Sequence, residues 1–301
     1  MADSKFQTYQ AIGNREDLTD IIENISPLET FVTSNTKTVG AAATYHEWQT
    51  DALAAAAQNA AIEGADATAT SATPTVRAGN YTQILQKTYM VTETQDVVNS
   101  AGRKSELNYQ TQKNLKELAK DIEYALVVNT TAASGASGTA RTLKGISGWI
   151  ATNVTTGTGT GTEALTEDMY NDNLQLIWAQ GGLAPFTTLC GAFQKRKFDG
   201  FTTNTRYAMA DESKLTSAVN VYESSFGVCS VRLHHTMNTS LAGVVFTLGD
   251  MDLWCKANLR PTKRREIAKV GDADKYQIIC EMTLESRQEK GSGKITGLTT
   301  S

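Results

Sequence analysis

From Lys104 to Asn129 the chain carries neither Pro nor Gly, and Leu115, Leu118, Ile122, Ala125 and Leu126 recur at spacings of three and four. That period puts an apolar stripe on one long amphipathic helix. At about 1.5 Å per residue the rod is roughly 40 Å long, enough to cross most of a domain. Glu106, Lys113, Lys116, Glu117, Lys120, Asp121 and Glu123 occupy its other faces and read as a solvated surface, with Lys113–Glu117 and Lys116–Lys120 at i,i+4. Upstream, Asn80-Tyr-Thr-Gln-Ile-Leu-Gln-Lys runs on through Thr92, and Ile84, Tyr89 and Val91 favour a strand over Tyr81–Thr94. An extended arm feeding a rigid rod suggests assembly more than catalysis.

Between Val39 and Gly79 the composition shifts to Ala, Thr, Ser and Asn, with Trp48 and Asp51 near the start and Pro74 near the end. Ala52–Ile62 has helical composition, yet its small side chains cannot anchor a core. A stretch so poor in large residues is either a floppy surface insertion or a projection that contacts something. Its return as a strand makes a long hairpin. Nearer the N-terminus, Asn14 can cap a short helix with Asp17 at its third position and Leu18, Ile21 and Ile22 on one side, ended by Ser26-Pro27. So short a helix needs a partner surface, which could be another subunit.

Downstream, Gly135-Ala-Ser-Gly138 and Gly157-Thr-Gly-Thr-Gly161 mark turns. Thr166-Glu-Asp caps a second helix whose Tyr170, Leu174, Ile177 and Trp178 share a face and which stops at Gly181-Gly182. Ala192–Asp199 reads as a third helical piece carrying the basic cluster Lys195-Arg196-Lys197, and 228–234 and 244–248 read as strands. In Tyr276–Leu284, Tyr276, Ile278, Cys280, Met282 and Leu284 alternate with the polar Gln277, Glu281 and Thr283. Helices and strands mix without a strand-helix-strand rhythm, so the class is α+β.

A net charge of −4 argues against a freestanding nucleic-acid binder. No apolar run approaches a membrane span, and the first residues lack the apolar core of a secretion signal. Cys190, Cys229, Cys255 and Cys280 lie far apart without metal-finger spacing and read as buried or half-buried thiols. The sequons at Asn80, Asn129, Asn153 and Asn238 read as chance in a Thr-rich chain.

The search for chemistry returns absences: no catalytic residue, no metal set and no cofactor motif. Gly145-Ile-Ser147-Gly-Trp149 imitates a nucleophile elbow but has Trp where the second Gly belongs. Asp250-Met-Asp252 and Asp272-Ala-Asp274 lack calcium-loop spacing and read as turns. Lys263-Arg264-Arg265, after Leu259-Arg260-Pro261, reads as a solvated loop or an intersubunit salt-bridge patch, and His234-His235 as surface decoration at a strand end.

Several groups, in order along the chain, carry a resemblance to a known family: Arg15-Glu16-Asp17-Leu18 with Ile25-Ser-Pro27; His46-Glu-Trp48 with Asp51; Asn80-Tyr81-Thr-Gln-Ile84; Ala101-Gly-Arg103; and Asp121-Ile-Glu123. Gly145 with Trp149, Val221-Tyr222 with Phe226-Gly227, Leu259-Arg-Pro261, Ala268-Lys269 with Gly271, and Glu281 with Leu284-Glu285 continue it. In their order and coverage these groups resemble the major capsid proteins of tailed bacteriophages, of HK-ninety-seven-type fold, and more narrowly the major head proteins of podoviruses with elongated heads.

That resemblance implies an N-terminal arm at 1–36, an extended loop at 37–88, a peripheral domain at 89–164 with the rod as its spine, an axial domain at 165–249, and peripheral C-terminal strands at 250–301. It implies a homo-oligomer of pentamers and hexamers enclosing double-stranded DNA without reading its sequence, together with a separate scaffolding protein, a portal protein and an optional cement protein. The location implied is the virion capsid, with assembly in the host cytoplasm. Candidates for assembly contacts are Arg15, Glu16 and Asp17 on the arm, Trp48, Asp51, Arg77 and Tyr81 on the loop, and Arg103. Lys195, Arg196, Arg260, Lys263 and Arg264 complete them. No Lys occurs between Lys37 and Lys87, so the loop tip lacks the nucleophile that one variant of this fold uses for covalent cross-linking, and a non-covalent shell is expected. The arm begins almost at Met1, so scaffolding is expected from another polypeptide. Competing readings are an encapsulin-like compartment, a surface adhesin suggested by the Thr- and Ala-rich stretches, and a hydrolase using Ser147.

Overall fold

The computed structural model describes residues 30–66, 69, 71–98, 105–157, 163–201, 220–269 and 271–300. The expected arm helix at Asn14, with Arg15, Glu16 and Asp17, lies outside the described residues, as do Arg103 and most of Gly157–Gly161.

The rod is present as α3, Glu106–Val128, 23 residues and roughly 35 Å long. Ser105 caps it by accepting from the Asn108 amide at 3.3 Å, and the Asp96 carboxylate takes the Leu107 amide at 3.1 Å. Leu118, Ile122, Ala125 and Leu126 are buried as expected, whereas Leu115 is 42% exposed. Glu106 and Glu123 correct the expected solvated face: both are buried, Glu123 completely. The remaining charges turn outward, but Glu117 and Asp121 meet a partner on another element, Lys87, at 4.0 and 2.7 Å.

Three sheets surround the rod. The first runs β1 (Lys37–Gly40), β10 (Trp254–Ile267), β11 (Ala273–Ser286), β4 (Gln83–Thr92). The second runs β5 (Val154–Thr156), β12 (Gly293–Thr296), β9 (Val245–Leu248), β6 (Phe186–Cys190), β8 (Gly227–Leu233), β7 (Val221–Ser224). The third is the antiparallel hairpin of β2 (Tyr45–Thr50) and β3 (Val76–Tyr81), in register from Tyr45 opposite Tyr81 to Thr50 opposite Val76. The excursion out and back is therefore real, but its return strand is Val76–Tyr81; Gln83–Thr92, within the stretch read as that return, pairs with β11 in the first sheet. Ala52–Ile62, however, is not helical: those residues carry no secondary structure and are exposed throughout, having no apolar side to fold against.

Two cores lie on opposite faces of the six-stranded sheet. Leu189, Phe246 and Leu248 face the cluster built on α3 and β11, while their strand neighbours Cys190 and Val245 face the cluster of α5, Glu167–Ala179. The period of two along a strand produces this division. In α5 the Thr166 hydroxyl accepts from the Met169 amide at 3.3 Å, and Tyr170, Leu174 and Ile177 are fully buried. Trp178 departs from that face and is 59% exposed, because it follows Ile177 by one position, about 100° around the helix. β12 pairs with β5 and β9, and Ile295 and Leu298 enter the α5 core, so the end of the chain joins the six-stranded sheet while β10 and β11 lie in the four-stranded one.

β11 pairs with β10 over 275–286 and with β4 over 273–282. Its polar alternates are not solvent-facing: Gln277, Glu281, Thr283 and Glu285 are all buried. Among the described residues no helix is long and apolar enough to cross a membrane.

Candidate assembly interface

The loop hairpin is fastened at its foot. The Trp48 indole donates to the Ser286 carbonyl at 2.9 Å, and its ring packs 5.3 Å from that of Trp149 at a 52° tilt. His46 meets Glu285 at 3.1 Å. Asn80, completely buried on β3, donates to the carbonyls of Leu284 at 2.8 Å and Lys144 at 2.9 Å and accepts the Lys144 amide at 2.9 Å. A glycan has no room there, nor on Asn153, which is 1% exposed. Tyr81 and Tyr45 pack with ring centroids 4.6 Å apart, and Arg77 reaches across the hairpin to Glu47 at 2.6 Å. Asp51 accepts only the Ala52 amide, at 2.9 Å. Beyond it the loop carries Leu53, fully exposed, and Ile62, 84% exposed.

The foot rests on α4, Ile146–Trp149, the segment that imitates a nucleophile elbow. Its glycines answer to packing. A Cβ on Gly145 would lie 2.7 Å from the carbonyl oxygens of Ala125 and Leu126, and one on Gly148 would lie 2.1 Å from that of Thr130. These glycines let the turn close against the end of the rod. Ser147 is buried and contributes its backbone carbonyl to Lys294 at 2.8 Å, with no imidazole as its partner.

Arg260 and Arg141 converge on the buried Glu281 at 2.7 and 2.6 Å, and Thr82 donates to the same carboxylate at 2.8 Å. Lys263 and Arg264 do not sit on a loop. They continue β10 as an exposed strand beyond the reach of β1, which pairs only with 255–258. There the Arg264 guanidinium stacks 4.4 Å over the Tyr276 ring and Arg265 donates to Gln277 at 2.6 Å. The basic cluster on α6, Ala192–Phe198, also splits: Arg196 is exposed, whereas Lys195 is 8% exposed with its amine 3.5 Å from Asp199. The candidate residues are thus brought together in two groups, one at the hairpin foot and one along β10, with α6 separate from both.

His234 corrects another expectation, for it is 1% exposed and bonded to Glu123 at 2.9 Å. Asp250 accepts the Asp252 amide at 2.9 Å, as turn chemistry requires, and among the described residues no cluster of His, Cys, Asp and Glu could hold a metal. All four cysteines are free and buried; burial raises the Cys190 thiol to about 12 and the Cys280 thiol to about 11.

A fastened hairpin with an uncovered tip, set on a rod and two sheets, has counterparts among known proteins. The family described as SU10 major capsid protein has a model that matches residues 3–299. The chain belongs to that family. A curated relative, the major capsid protein of Escherichia phage Phieco32, is 37% identical over 123 residues, which is 40% of this chain and 35% of that protein's length. Among solved structures, the capsid of the native GTA particle superposes with a TM-score of 0.67 at 10% identity, covering 99% of this chain and 100% of the other. The cyanophage A-1(L) capsid gives 0.67 at 12% identity, covering 97% and 98%. Such likenesses show the fold, which is the HK-ninety-seven type of phage capsid proteins. In this family member the parts that meet at the hairpin foot come from positions 46–48, 80–81, 144–149 and 284–286.

Proposed function

We propose that this chain is the major capsid protein of a phage head, a container subunit that assembles into hexamers and pentamers around double-stranded DNA and acts as no enzyme. One observation carries the reading: residues 51–66 stand fully in solvent, including Leu53 and Ile62, at the end of a hairpin whose foot is fixed by Trp48 and Asn80. A rigidly mounted arm with an uncovered apolar tip is built to lie on something else, and family membership makes a neighbouring subunit the occupant. In this reading 37–88 is the extended loop and α3 with the four-stranded sheet is the peripheral domain. The six-stranded sheet with α5 is the axial domain, extended by 153–157 and 293–299. Trp48 and Tyr81 then aim the loop, while Asp51, Arg77, Lys263 and Arg264 are exposed contacts between copies. Scaffolding, portal and cement proteins would be separate chains.

Electron microscopy with size-exclusion chromatography on the expressed chain, alone and with the products of neighbouring genes, tests this. Rings, tubes or shells are expected. A monomer under every condition would refute it.

A further inference from the structure

Buried inside the subunit, the Glu123 carboxylate of α3 accepts four hydrogen bonds: the Val32 amide at 2.7 Å, the Thr33 amide at 2.8 Å, the Thr33 hydroxyl at 2.5 Å and His234 Nε2 at 2.9 Å. Three of these donors belong to α1, Phe31–Asn35, a single turn of helix that carries one fully buried apolar residue, Val32. A five-residue helix does not hold its shape unaided. Phe31 adds a partly buried ring under the Arg232 guanidinium, 5.0 Å away. We propose that Glu123 is a latch for the 31–36 segment: it docks the segment onto the rod and the corner between β8 and α7 (His235–Ser240), and its opening releases the segment while both sheets stay folded.

Among the described residues, three further groups face the carboxylate and the segment it holds. His234, between β8 and α7, is held by its own amide, which donates to Cys190 at 3.0 Å. Because a carboxylate only accepts, Nε2 carries the proton, and Nδ1 is left buried without a hydrogen-bond partner. Lys256 on β10 extends its amine to within 3.5 Å of the Thr33 carbonyl; burial lowers its pKa, and Glu123 offsets part of that by favouring the charged form. Arg232 faces the segment through the Phe31 ring.

Burial pushes the Glu123 carboxyl up, but the bonds from His234, Thr33 and Val32 together hold it below the ordinary carboxylate value of 4.5. A group depressed in the folded state contributes its stability in full above its unfolded pKa and loses it as pH falls through the folded one. The latch is therefore closed at neutral pH and opens in acid, when a hydroxyl replaces one of the accepting oxygens.

Hydrogen exchange on the full-length unassembled chain tests this independently of any shell. In Glu123→Gln, exchange at the Val32, Thr33 and Thr36 amides rises about tenfold or more while β11 keeps its protection. Unchanged protection at those amides would overturn the proposal, as would loss of protection spread equally over β11. Thr33→Val removes a single donor and should raise exchange at the same amides by about threefold; no rise there also overturns it. Lowering the pH of the wild-type protein stepwise below 4.5 should progressively raise exchange at the same amides after correction for intrinsic rates, and Glu123→Gln should show little further change.

Discussion

The Trp48 indole N–H donates to the Ser286 carbonyl at 2.9 Å, joining the first strand of the loop hairpin to the last residue of β11. Trp149 closes the contact from below, with the Lys144 amine 4.6 Å over its ring. The direction in which the loop projects is set by this foot, since beyond Thr50 the described loop residues carry no regular structure until Val76.

Replacing Trp48 separates the two contributions. Trp48→Phe keeps an aromatic face but removes the donor, at a cost of about 1 kcal/mol. Trp48→Ala also empties the space beside Trp149 and is expected to cost about 2–3 kcal/mol, less than a fully buried Trp because the site is half-open. Urea unfolding measures both; coincident curves for wild type and Trp48→Ala would remove the foot from the account.

Glu281 holds two arginines while only 4% exposed. Glu281→Ala leaves Arg141, Arg260 and the Thr82 hydroxyl without their shared acceptor and should destabilise by about 2–3 kcal/mol, the arginines being partly in water. Arg260→Ala removes the partner that is about half in water and should cost about 1 kcal/mol. A thermal melt in which Arg260→Ala is the worse variant would contradict this division.

Gly148→Ala and Ser147→Ala differ in packing alone. The added methyl would press on the Thr130 carbonyl, so Gly148→Ala should cost about 2 kcal/mol or more. Ser147→Ala should change stability by less than about 1 kcal/mol, because its bond to Lys294 runs through the backbone. Circular-dichroism melts would show it, and equal melting points for the two variants would count against the close approach.

The four cysteines are buried and their thiols are held neutral by burial. At about pH 8 a thiol-specific reagent should modify fewer than one thiol per folded chain within minutes and all four after denaturation. Rapid modification of the folded protein would show an opening that the packing does not contain.

Purified shells boiled in SDS should run as single chains of 32.5 kDa, because no lysine stands between Lys37 and Lys87 to attack a neighbouring side chain. A covalent ladder would mean that another residue supplies the nucleophile.

Local pattern alone determined the rod, the Thr166 cap, the strands read over 228–234, 244–248 and 276–284, and the existence of the hairpin though not its return strand, because a helical period, a hydroxyl before a helix and a period of two each act within a few residues. The capsid family was legible from ordered groups spread along the chain. Tertiary structure decided which polar residues go inside. Glu123 and His234 are 111 positions apart, and each looks like a surface residue until the fold supplies its partner. Gln277, Glu281, Thr283 and Glu285 alternate as a half-exposed strand would, yet they are buried, and Arg141, Arg260 and Tyr81 arrive from elsewhere to bond the polar groups of Glu281 and Thr283. Burying such a group is unfavourable unless a partner is present, and a partner distant in sequence leaves no mark on the local pattern.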